Sequence, residues 1–456
     1  MEDRVMGRVG LVETVRLLVE REISARELVD ETLAAIDNME PALQAWEAVD
    51  RGRAVHEAEH ADKALDSGRP LGPLHGVPVG VKDIFATAGL RTSMGSRIFR
   101  DHVPARDATA VARLRGAGAI VIGKTVSTEF AMGDPPRTLN PWNSKHTPGG
   151  SSSGSAVAVA AGQVPLALGT QTGGSVIRPA AYNGVVGYKP TYGMVSRGGV
   201  FPLSWTLDTV GWMTRSVRDA ALALDVLAGH DPADPGSVEA SYSPAVGVME
   251  TGRGRLRLGI VSGDIERRTS AEGQAHFFEV IETLRLAGHA VELFDLPMSY
   301  FATREARLVI NHSEAAAVHG KIHQKRAAEY SPSARSVIEA GLLIPSAAYV
   351  QSQRLRRLFR QDIDESMIAV DALIMPAAPG PAPADLSTTG DTSFYTPWSL
   401  AGLPAITIPS GMSRSGLPLG VQMVGKGFSD ATLLRAAAEV ERVLEFDPGM
   451  PPVRST

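Results

Sequence analysis

Small and hydroxyl-bearing residues are concentrated between Thr147 and Gly193 at a density that an ordinary buried core does not need. Two clusters stand out, GGSSSGS at 149–155 and TQTGGS at 170–175, and an apolar run rich in Ala and Val lies between them. Glycine permits positive φ angles and lets other groups come close to backbone N–H donors. A Gly-Gly-Ser turn after a buried segment therefore suits a nucleophilic serine with an oxyanion hole beside it.

A serine hydroxyl can attack a carbonyl only if a nearby base takes its proton. The chain contains no cysteine, so covalent chemistry has to use an oxygen or an amine. No histidine lies within the two clusters. The segment VPVGVK at 77–82 is typical of a short buried strand, which would carry Lys82 into the interior. Because burial disfavours the charged amine, Lys82 is the available base.

These motifs together resemble those of the amidase signature family. The match rests on GGSSSGS at 149–155, GTQTGGS at 169–175, RPAAYNGVVGYKPTYG at 178–193 and GVPVGVKD at 76–83. Further matches are KTVSTEFAMG at 124–133, NPW at 140–142, AGLPA at 401–405 and GLPLGVQ at 416–422, so the resemblance covers nearly the whole chain. The variant SVIRP at 175–179 is similar to the malonamidase-like branch of the family.

The resemblance implies a catalytic triad. Ser175 would be the nucleophile, Ser151 a bridging serine held in a cis peptide conformation, and Lys82 the base and later the acid. We expect Lys82 to be neutral, with hydrogen bonds to the hydroxyls of Ser151 and Ser175 and no counter-charge. A Gly-Gly turn exposes successive donors, so the oxyanion hole would consist of the backbone N–H groups of Thr172, Gly173, Gly174 and Ser175.

Three further residues are candidates for contacts with the substrate. Gly150 and Ser152 flank the bridging serine, and Ser152 is the other hydroxyl of its cluster best placed to assist. Arg178 either holds a substrate carboxylate, as the resemblance implies, or forms a structural ion pair, and both interpretations stay open at this point. We expect neither a metal nor a cofactor.

The resemblance implies an α/β fold, the amidase-signature fold, in which helices cover both faces of a central mixed β-sheet. Residues 1–456 would form a single domain. Its predicted parts are N-terminal helices at 1–70, a core with the catalytic residues at 71–230, a helical lobe beside the substrate cleft at 255–370, and returning strands with a final helix at 371–445. Hydrophobic periodicity predicts helices at 8–22, 24–36, 50–68, 304–329, 346–370 and 430–444. The spacing of Ser24 and Glu27 predicts a capping box.

Two other motifs suggest different chemistry. The segment GAIVIGKT at 118–125 fits the phosphate-loop pattern, but its middle residues are typical of a strand, whose N–H groups pair in a sheet instead of wrapping a phosphate. His312, His319 and His323 include an i, i+4 pair, but no carboxylate completes a zinc-protease motif. We therefore expect solvated or packing histidines, and a phosphate-loop nucleotide-binding protein is the less favoured alternative.

The motifs thus favour an amidohydrolase that cleaves a carboxamide, anilide, carbamate or ester through an acyl-enzyme. The alternatives are an amidotransferase A-type subunit that acts on glutamyl-tRNA, a carbamate-specific urethanase and a catalytically silent scaffold. The expected partners are a small-molecule amide or carbamate and water, and a homodimer is left open.

The composition argues against nucleic-acid and membrane partners. With 44% hydrophobic residues, 21% charged residues and a formal net charge of −5, the chain is typical of a globular protein without a basic binding surface. No stretch approaches the ~20 apolar residues that a membrane span needs. The charged N-terminus lacks the apolar region of a signal peptide. We therefore expect a cytoplasmic protein.

Overall fold

The computed structural model describes residues 9–69, 72–240, 242–250 and 254–453. Its strands are β1 (Trp46–Val49), β2 (Pro78–Lys82), β3 (Ile120–Thr125), β4 (Leu166–Gln171), β5 (Val186–Lys189), β6 (Thr209–Thr214), β7 (Arg257–Ile260), β8 (Ala290–Leu293), β9 (Ala372–Pro376), β10 (Ala405–Met412) and β11 (Pro418–Val424). Residues 1–8, on which part of the signal-peptide prediction and the start of the first predicted helix fall, lie outside the described residues. So do residues 70 and 71 at the predicted boundary of the N-terminal segment.

The α-helices are interspersed with these strands along the chain. They are α1 (Leu11–Val19), α2 (Ala25–Leu43), α3 (Arg51–Asp66), α4 (Thr109–Gly116), α5 (Ser153–Ala160), α6 (Ile177–Asn183), α7 (Val217–Leu227), α8 (Ala245–Glu250), α9 (Asp264–Arg268), α10 (Ala271–Leu286), α11 (Thr303–Arg326), α12 (Pro332–Leu342), α13 (Ser346–Ser366), α14 (Thr396–Ala401) and α15 (Asp430–Leu444). Within the described residues, no helix combines the length and the apolar character needed to cross a bilayer.

One mixed sheet of 11 strands runs through the described chain in the order β1-β3-β2-β4-β6-β5-β10-β11-β9-β7-β8. Strand β2 lies between β3 and β4 and is parallel to both. From β4 to β9 the neighbouring strands are antiparallel, and β9, β7 and β8 are parallel again. The predicted α/β fold with a central mixed sheet is therefore confirmed.

Two entirely buried helices, α5 and α6, lie near the centre of the sheet. Helix α5 consists of Ser, Gly, Ala and Val, and these small side chains allow it to approach β2, β3 and β4 closely. The apolar run between the two clusters is thus buried, as predicted. The first cluster leads into α5 and the second into α6, so both clusters are anchored on rigid elements.

The N-terminal helices occur where they were predicted, but α1 (Leu11–Val19) is shorter than the predicted 8–22 and α2 is longer than predicted. Ser24 and Glu27 form the predicted capping box at the start of α2. The helix continues to Leu43, beyond the predicted end at residue 36, because the buried side chain of Leu43 extends the packed face. Gln44 then ends the helix in the left-handed conformation. The final helix, α15, has the predicted bounds.

Several elements were not predicted from the pattern. Helix α12 occupies a segment between two predicted helices, and its start is marked by Ser331 at the N-cap and Pro332 at the first helical position. The short central strands β5 and β6 carry no alternating pattern because all their residues are buried.

The phosphate-loop pattern at 118–125 coincides with β3, as its strand-like middle residues predict. This strand pairs with both β1 and β2.

Candidate active site

Lys82 stands at the end of the buried strand β2. Because β2 and β4 are parallel neighbours, their carboxyl ends meet at one edge of the sheet, and this places Lys82 beside Thr170. The Nζ atom of Lys82 donates to Ser151 Oγ at 2.7 Å and to Thr170 Oγ1 at 2.9 Å. Lys82 has no exposed surface, as predicted. Its second hydroxyl partner is Thr170 and not the expected Ser175.

Burial sets the protonation of this lysine. It lowers the pKa of Lys82 to about 7 because the charged ammonium loses its hydration, while the carboxylate of Asp208 raises the pKa in the opposite direction. No carboxylate among the described residues lies at ion-pair distance from Lys82, so Asp208 acts on it from farther away. Asp208 is itself buried and accepts hydrogen bonds from Thr172 Oγ1 at 2.5 Å and from the backbone N–H groups of Leu203 and Ser204.

A lowered pKa alone does not distinguish Lys82, because two other lysines among the described residues, Lys124 and Lys189, also have no exposed surface. Burial lowers the pKa of Lys124 and the pKa of Lys189 to about 7 as well. Lys189 donates only to backbone carbonyls, which cannot pass on a proton, and Lys124 donates to the carbonyl of Phe85 and to the hydroxyl of Thr87, which lies outside the two clusters. Lys82 donates only to hydroxyls, one of which belongs to Ser151 in the first cluster. Its hydrogen-bond partners, more than its pKa, distinguish Lys82 from the other two lysines.

Ser151 is held by a tight turn at the start of α5. The peptide bond between Gly150 and Ser151 is cis. Gly149 has a φ angle of 75°, and a Cβ there would lie 2.8 Å from Pro179 Cα, so only glycine fits this turn. The carbonyl oxygen of Ser151 accepts from the backbone N–H of Thr128 at 3.2 Å. The turn thus directs the Ser151 hydroxyl toward the amine at the end of β2.

Ser175 lies between β4 and α6 and is the most exposed of the three triad candidates, at 9%. The backbone N–H of Ser152 donates to the carbonyl oxygen of Ser175 at 3.3 Å, so the two clusters are in direct contact. Among the described residues, no hydrogen bond involves the Ser175 hydroxyl. This hydroxyl is therefore available to a substrate, and its link to Ser151 is not formed in this structure.

The loop between β4 and α6 presents unused donors. Within the described residues, the backbone N–H groups of Thr172, Gly173, Gly174 and Ser175 donate to no acceptor. The absence of side chains at the two glycines lets neighbouring groups pack closely: a Cβ at Gly174 would lie 2.3 Å from the ring of Tyr395. Free donors beside a serine hydroxyl can stabilise the oxyanion of acyl transfer.

Gln171 shapes this loop from the end of β4. Its Oε1 atom accepts from the backbone N–H groups of Val176 at 2.9 Å and Ile177 at 3.0 Å. Its Nε2 atom donates to Ser399 Oγ at 3.0 Å, and Ser399 donates in turn to the carbonyl oxygen of Gly173 at 2.8 Å. The loop is therefore rigid on both sides of Ser175.

Arg178 is buried and bonded to neutral oxygens. It donates to the carbonyl of Gly150 at 2.7 Å, to Thr389 Oγ1 at 3.0 Å and to the carbonyl of Gly390 at 2.5 Å. Since these acceptors are uncharged and no carboxylate in the described residues reaches ion-pair distance, the structural ion pair is wrong. A contact between Arg178 and a substrate carboxylate stays a prediction.

The other two predicted substrate contacts, Gly150 and Ser152, lie next to Ser151 in the chain but are bonded to the protein. The carbonyl of Gly150 accepts from Arg178. The Ser152 hydroxyl donates to the Thr170 carbonyl and accepts from the Thr170 N–H, both at 3.3 Å. Ser152 therefore positions Thr170, a partner of Lys82, and substrate contacts of Gly150 and Ser152 stay predictions.

The histidines of α11 pack against neighbouring side chains. His319 lies in an aromatic cluster with Phe130 and Tyr330, and its Nδ1 atom is 3.0 Å from the Tyr330 hydroxyl. Burial lowers the pKa of His319 to about 4. His312 contacts a backbone carbonyl one turn earlier, and His323 lies near a glutamate of α12. In the part of the chain that the structure describes, no three His, Asp or Glu side chains are grouped to hold a metal ion.

Four residues that support the site were not predicted from the sequence: Thr170, Gln171, Asp208 and Ser399. Thr170 and Gln171 lie inside the second cluster, where their hydroxyl and amide groups are the only local signal. Asp208 and Ser399 are far from the clusters in sequence, and only the paired strands and α14 bring them close.

Comparisons with known proteins agree with this geometry. The amidase family model matches residues 27–434. The chain is 38% identical to the A subunit of the glutamyl-tRNA(Gln) amidotransferase of Anaeromyxobacter dehalogenans (strain 2CP-C), over 97% of this chain and 98% of the relative. It is similar to a solved structure described as an unexpected vestigial protein complex that reveals the evolutionary origins of an s-triazine catabolic enzyme, with a TM-score of 0.90 and 33% identity over 98% of this chain and 100% of the other. It is also similar to the native peptide amidase of Stenotrophomonas maltophilia, with a TM-score of 0.86 and 30% identity over 98% of this chain and 99% of the other. On its sequence, its sheet and its site, the chain belongs to the amidase family.

Proposed function

We propose that this protein is an amidohydrolase that cleaves a carboxamide, or a related anilide, carbamate or ester, through an acyl-enzyme on Ser175. The observation that carries the proposal is the 2.7 Å hydrogen bond between Lys82 Nζ and Ser151 Oγ. It joins an amine whose pKa is lowered to about 7 to a hydroxyl in the cluster that contacts Ser175. A base of this pKa is half deprotonated near neutral pH and suits proton transfer.

In the acylation step, the Ser175 oxygen attacks the substrate carbonyl. The Ser175 proton passes to Ser151, and the proton of Ser151 passes to Lys82. The negative charge on the carbonyl oxygen is stabilised by the free N–H groups at 172–175, each such donor being worth ~2.7–4 kcal/mol in comparable sites. When the carbonyl re-forms, the C–N bond breaks and Lys82 returns a proton through Ser151 to the leaving nitrogen.

Deacylation repeats the same route with water. A water molecule attacks the Ser175 ester, its proton moves through Ser151 to Lys82, and the tetrahedral intermediate collapses to the free carboxylic acid. The proton on Lys82 then returns to the Ser175 oxygen, which restores the resting enzyme. Apart from this water molecule, no group outside the chain and the substrate is needed for the proton balance.

A second candidate function is supported by the relatives. The chain is 38% identical to the A subunit of a glutamyl-tRNA(Gln) amidotransferase, over almost its full length. Such a protein would use the same serine chemistry to release ammonia for transfer to glutamyl-tRNA. The two functions differ in what the isolated chain does, because a hydrolase turns over small amides without ATP, tRNA or another protein.

The test is an assay of the purified chain alone against primary amides, anilides and carbamates, with ammonia or amine release as the readout. We expect turnover without ATP, and a Ser175→Ala preparation purified in parallel is the control for contaminating hydrolases. A clear preference for carbamates would assign the chain as a urethanase. Turnover that appears only with added partner proteins, ATP and glutamyl-tRNA would overturn the hydrolase proposal in favour of the amidotransferase.

A further inference from the structure

An arginine outside the signature clusters reaches the loop that presents the free N–H donors. Arg307 lies in the first turns of α11, and a Cβ added to Gly173 would lie 2.6 Å from its Nη2 atom. The guanidinium therefore occupies the space that the missing side chain of Gly173 leaves open. Gly173 is two residues before Ser175, so with ~3.8 Å between consecutive Cα atoms their Cα atoms are at most ~7.6 Å apart.

Within the part of the chain that the structure describes, this guanidinium has no counter-charge. Among the described residues, Arg307 forms neither an ion pair nor a hydrogen bond, and its Nε atom is buried without a partner. The neighbouring side chains of Ala306 and Ile310 belong to an apolar cluster with Leu207 and Leu400, which offers it no acceptor. Burial, with a smaller contribution from Arg178, lowers the pKa of Arg307 to about 10, which still leaves it charged at neutral pH.

Other arginines around the site use their terminal N–H groups within the protein, although the Nε atom of Arg178 is also buried without a partner. Arg178 donates to three oxygens, and Arg356 donates to the carbonyls of Leu400 and Thr206. Arg307 is different, because it lies against the loop at 172–175 and none of its N–H groups donates a hydrogen bond to a described residue. A partly buried cation without a partner is costly for the fold, and an anion that arrives with the substrate would remove that cost.

We propose that Arg307 binds a carboxylate of the substrate and so selects short amides in which this carboxylate lies only a few bonds from the scissile carbonyl. A planar carboxylate matches the two parallel N–H donors of a guanidinium. Because Gly173 and Ser175 are so close, only a short spacer fits between the substrate carboxylate at Arg307 and the scissile carbonyl at Ser175. The inference rests on the proposed amidohydrolase function and names the substrate class of that site.

The test uses the monoamides of malonic, succinic and glutaric acid, each compared with the matched diamide, which replaces the carboxylate by a neutral carboxamide. We expect the wild-type protein to have a higher kcat/KM for at least one monoamide than for its diamide. Arg307→Gln should lower this ratio by on the order of 10- to 100-fold, chiefly through KM, because a charged hydrogen-bonding partner is lost. Arg307→Lys should restore part of the preference because it keeps the charge.

Arg304→Gln is the matched control, since Arg304 is an exposed arginine on the same helix and should leave the ratio unchanged. A second readout is calorimetric titration of the same monoamides into the Ser175→Ala protein with and without Arg307→Gln, which measures binding without turnover. Equal ratios in wild type and Arg307→Gln, or equal affinities in the titration, would overturn the role of Arg307 while leaving the hydrolase function intact. If no amide is hydrolysed, the hydrolase proposal fails and the titration alone decides on Arg307.

Discussion

The amine of Lys82 lies 2.7 Å from the hydroxyl of Ser151, where the end of β2 meets the turn that leads into α5. Both groups are carried by buried elements, so their distance is set by the packing of the core and not by a mobile loop. The amine is bonded to hydroxyls only, and its pKa of about 7 leaves a large fraction with a free lone pair at neutral pH. This is the state that a general base requires.

Replacement of Lys82 by arginine should abolish turnover as completely as replacement by alanine. Arginine keeps a cation but is not deprotonated in proteins, so it cannot accept the proton. The measurement is kcat of the purified variants, with a thermal melt to show that each is folded. Lys189→Met is the control, because it removes an equally buried lysine that bonds only to carbonyls, and it should retain turnover. Substantial activity in Lys82→Arg would show that Lys82 is an electrostatic anchor.

The pH dependence should report the same lysine. Because the neutral amine is the active form, kcat/KM should fall as the pH is lowered through about 7 and level off above it. Asp208 raises the pKa of Lys82, so Asp208→Asn should move the midpoint to lower pH. Thr172→Val breaks the hydrogen bond to Asp208 but keeps its charge, and should leave the midpoint near that of the wild type. A rate that increases as the pH falls through 7 would contradict this assignment.

Gln171 should matter for both stability and rate. Gln171→Leu leaves the buried N–H groups of Val176 and Ile177 without an acceptor, at a cost of about 1–3 kcal/mol each. We expect a lower free energy of unfolding in denaturant titrations and a lower kcat, because the loop that carries Ser175 loses the hydrogen bonds that fix its conformation. Ser399→Ala removes a single side chain from the same network and should cost less. An unchanged unfolding midpoint for Gln171→Leu would show that the loop is held by other contacts.

Alanine at Gly174 should be far more harmful than alanine at a glycine with open space around it. A Cβ at Gly174 would lie 2.3 Å from the ring of Tyr395, which is fully buried and cannot move aside. We expect Gly174→Ala to lose most of its activity and to melt at lower temperature. Gly320 in α11 has nothing within 4 Å of its added Cβ, so Gly320→Ala should stabilise the helix by about 0.5–1 kcal/mol without changing the rate. Wild-type activity in Gly174→Ala would contradict the proposed shape of the loop.

The sequence predicts most of this fold where local signals are strong. The capping box at Ser24 and the bounds of α15 follow from periodicity and end residues, and the apolar segment before Lys82 predicts its burial. Strands β5 and β6 could not be predicted in this way. Both of their faces are buried, so they lack the alternation of apolar and polar residues that identifies a strand. The division of the chain into one domain with four parts stays a prediction.

The site is predictable only as far as its residues lie in a motif. Lys82, Ser151 and Ser175 lie in motifs that resemble those of the amidase signature family, and the resemblance implies their roles, whereas hydroxyls within one cluster look alike in sequence. The role of Thr170 therefore depends on which strand end faces Lys82. Arg178 illustrates another limit, because its partners are mainly backbone carbonyls that no sequence pattern displays. Arg307 lies in a helix without a catalytic motif, and only the packing of α11 brings it to the loop at 172–175.

The central claim, that Ser175 carries the acyl group, is tested most directly by covalent labelling with an aryl carbamate that deacylates slowly. The wild-type protein and Ser175→Ala are treated in parallel, and intact-mass and peptide mass spectrometry locate the adduct. We predict one carbamoyl group per chain, on Ser175, and none in Ser175→Ala. An adduct on Ser151 or Lys82, or equal labelling of Ser175→Ala, would contradict this claim.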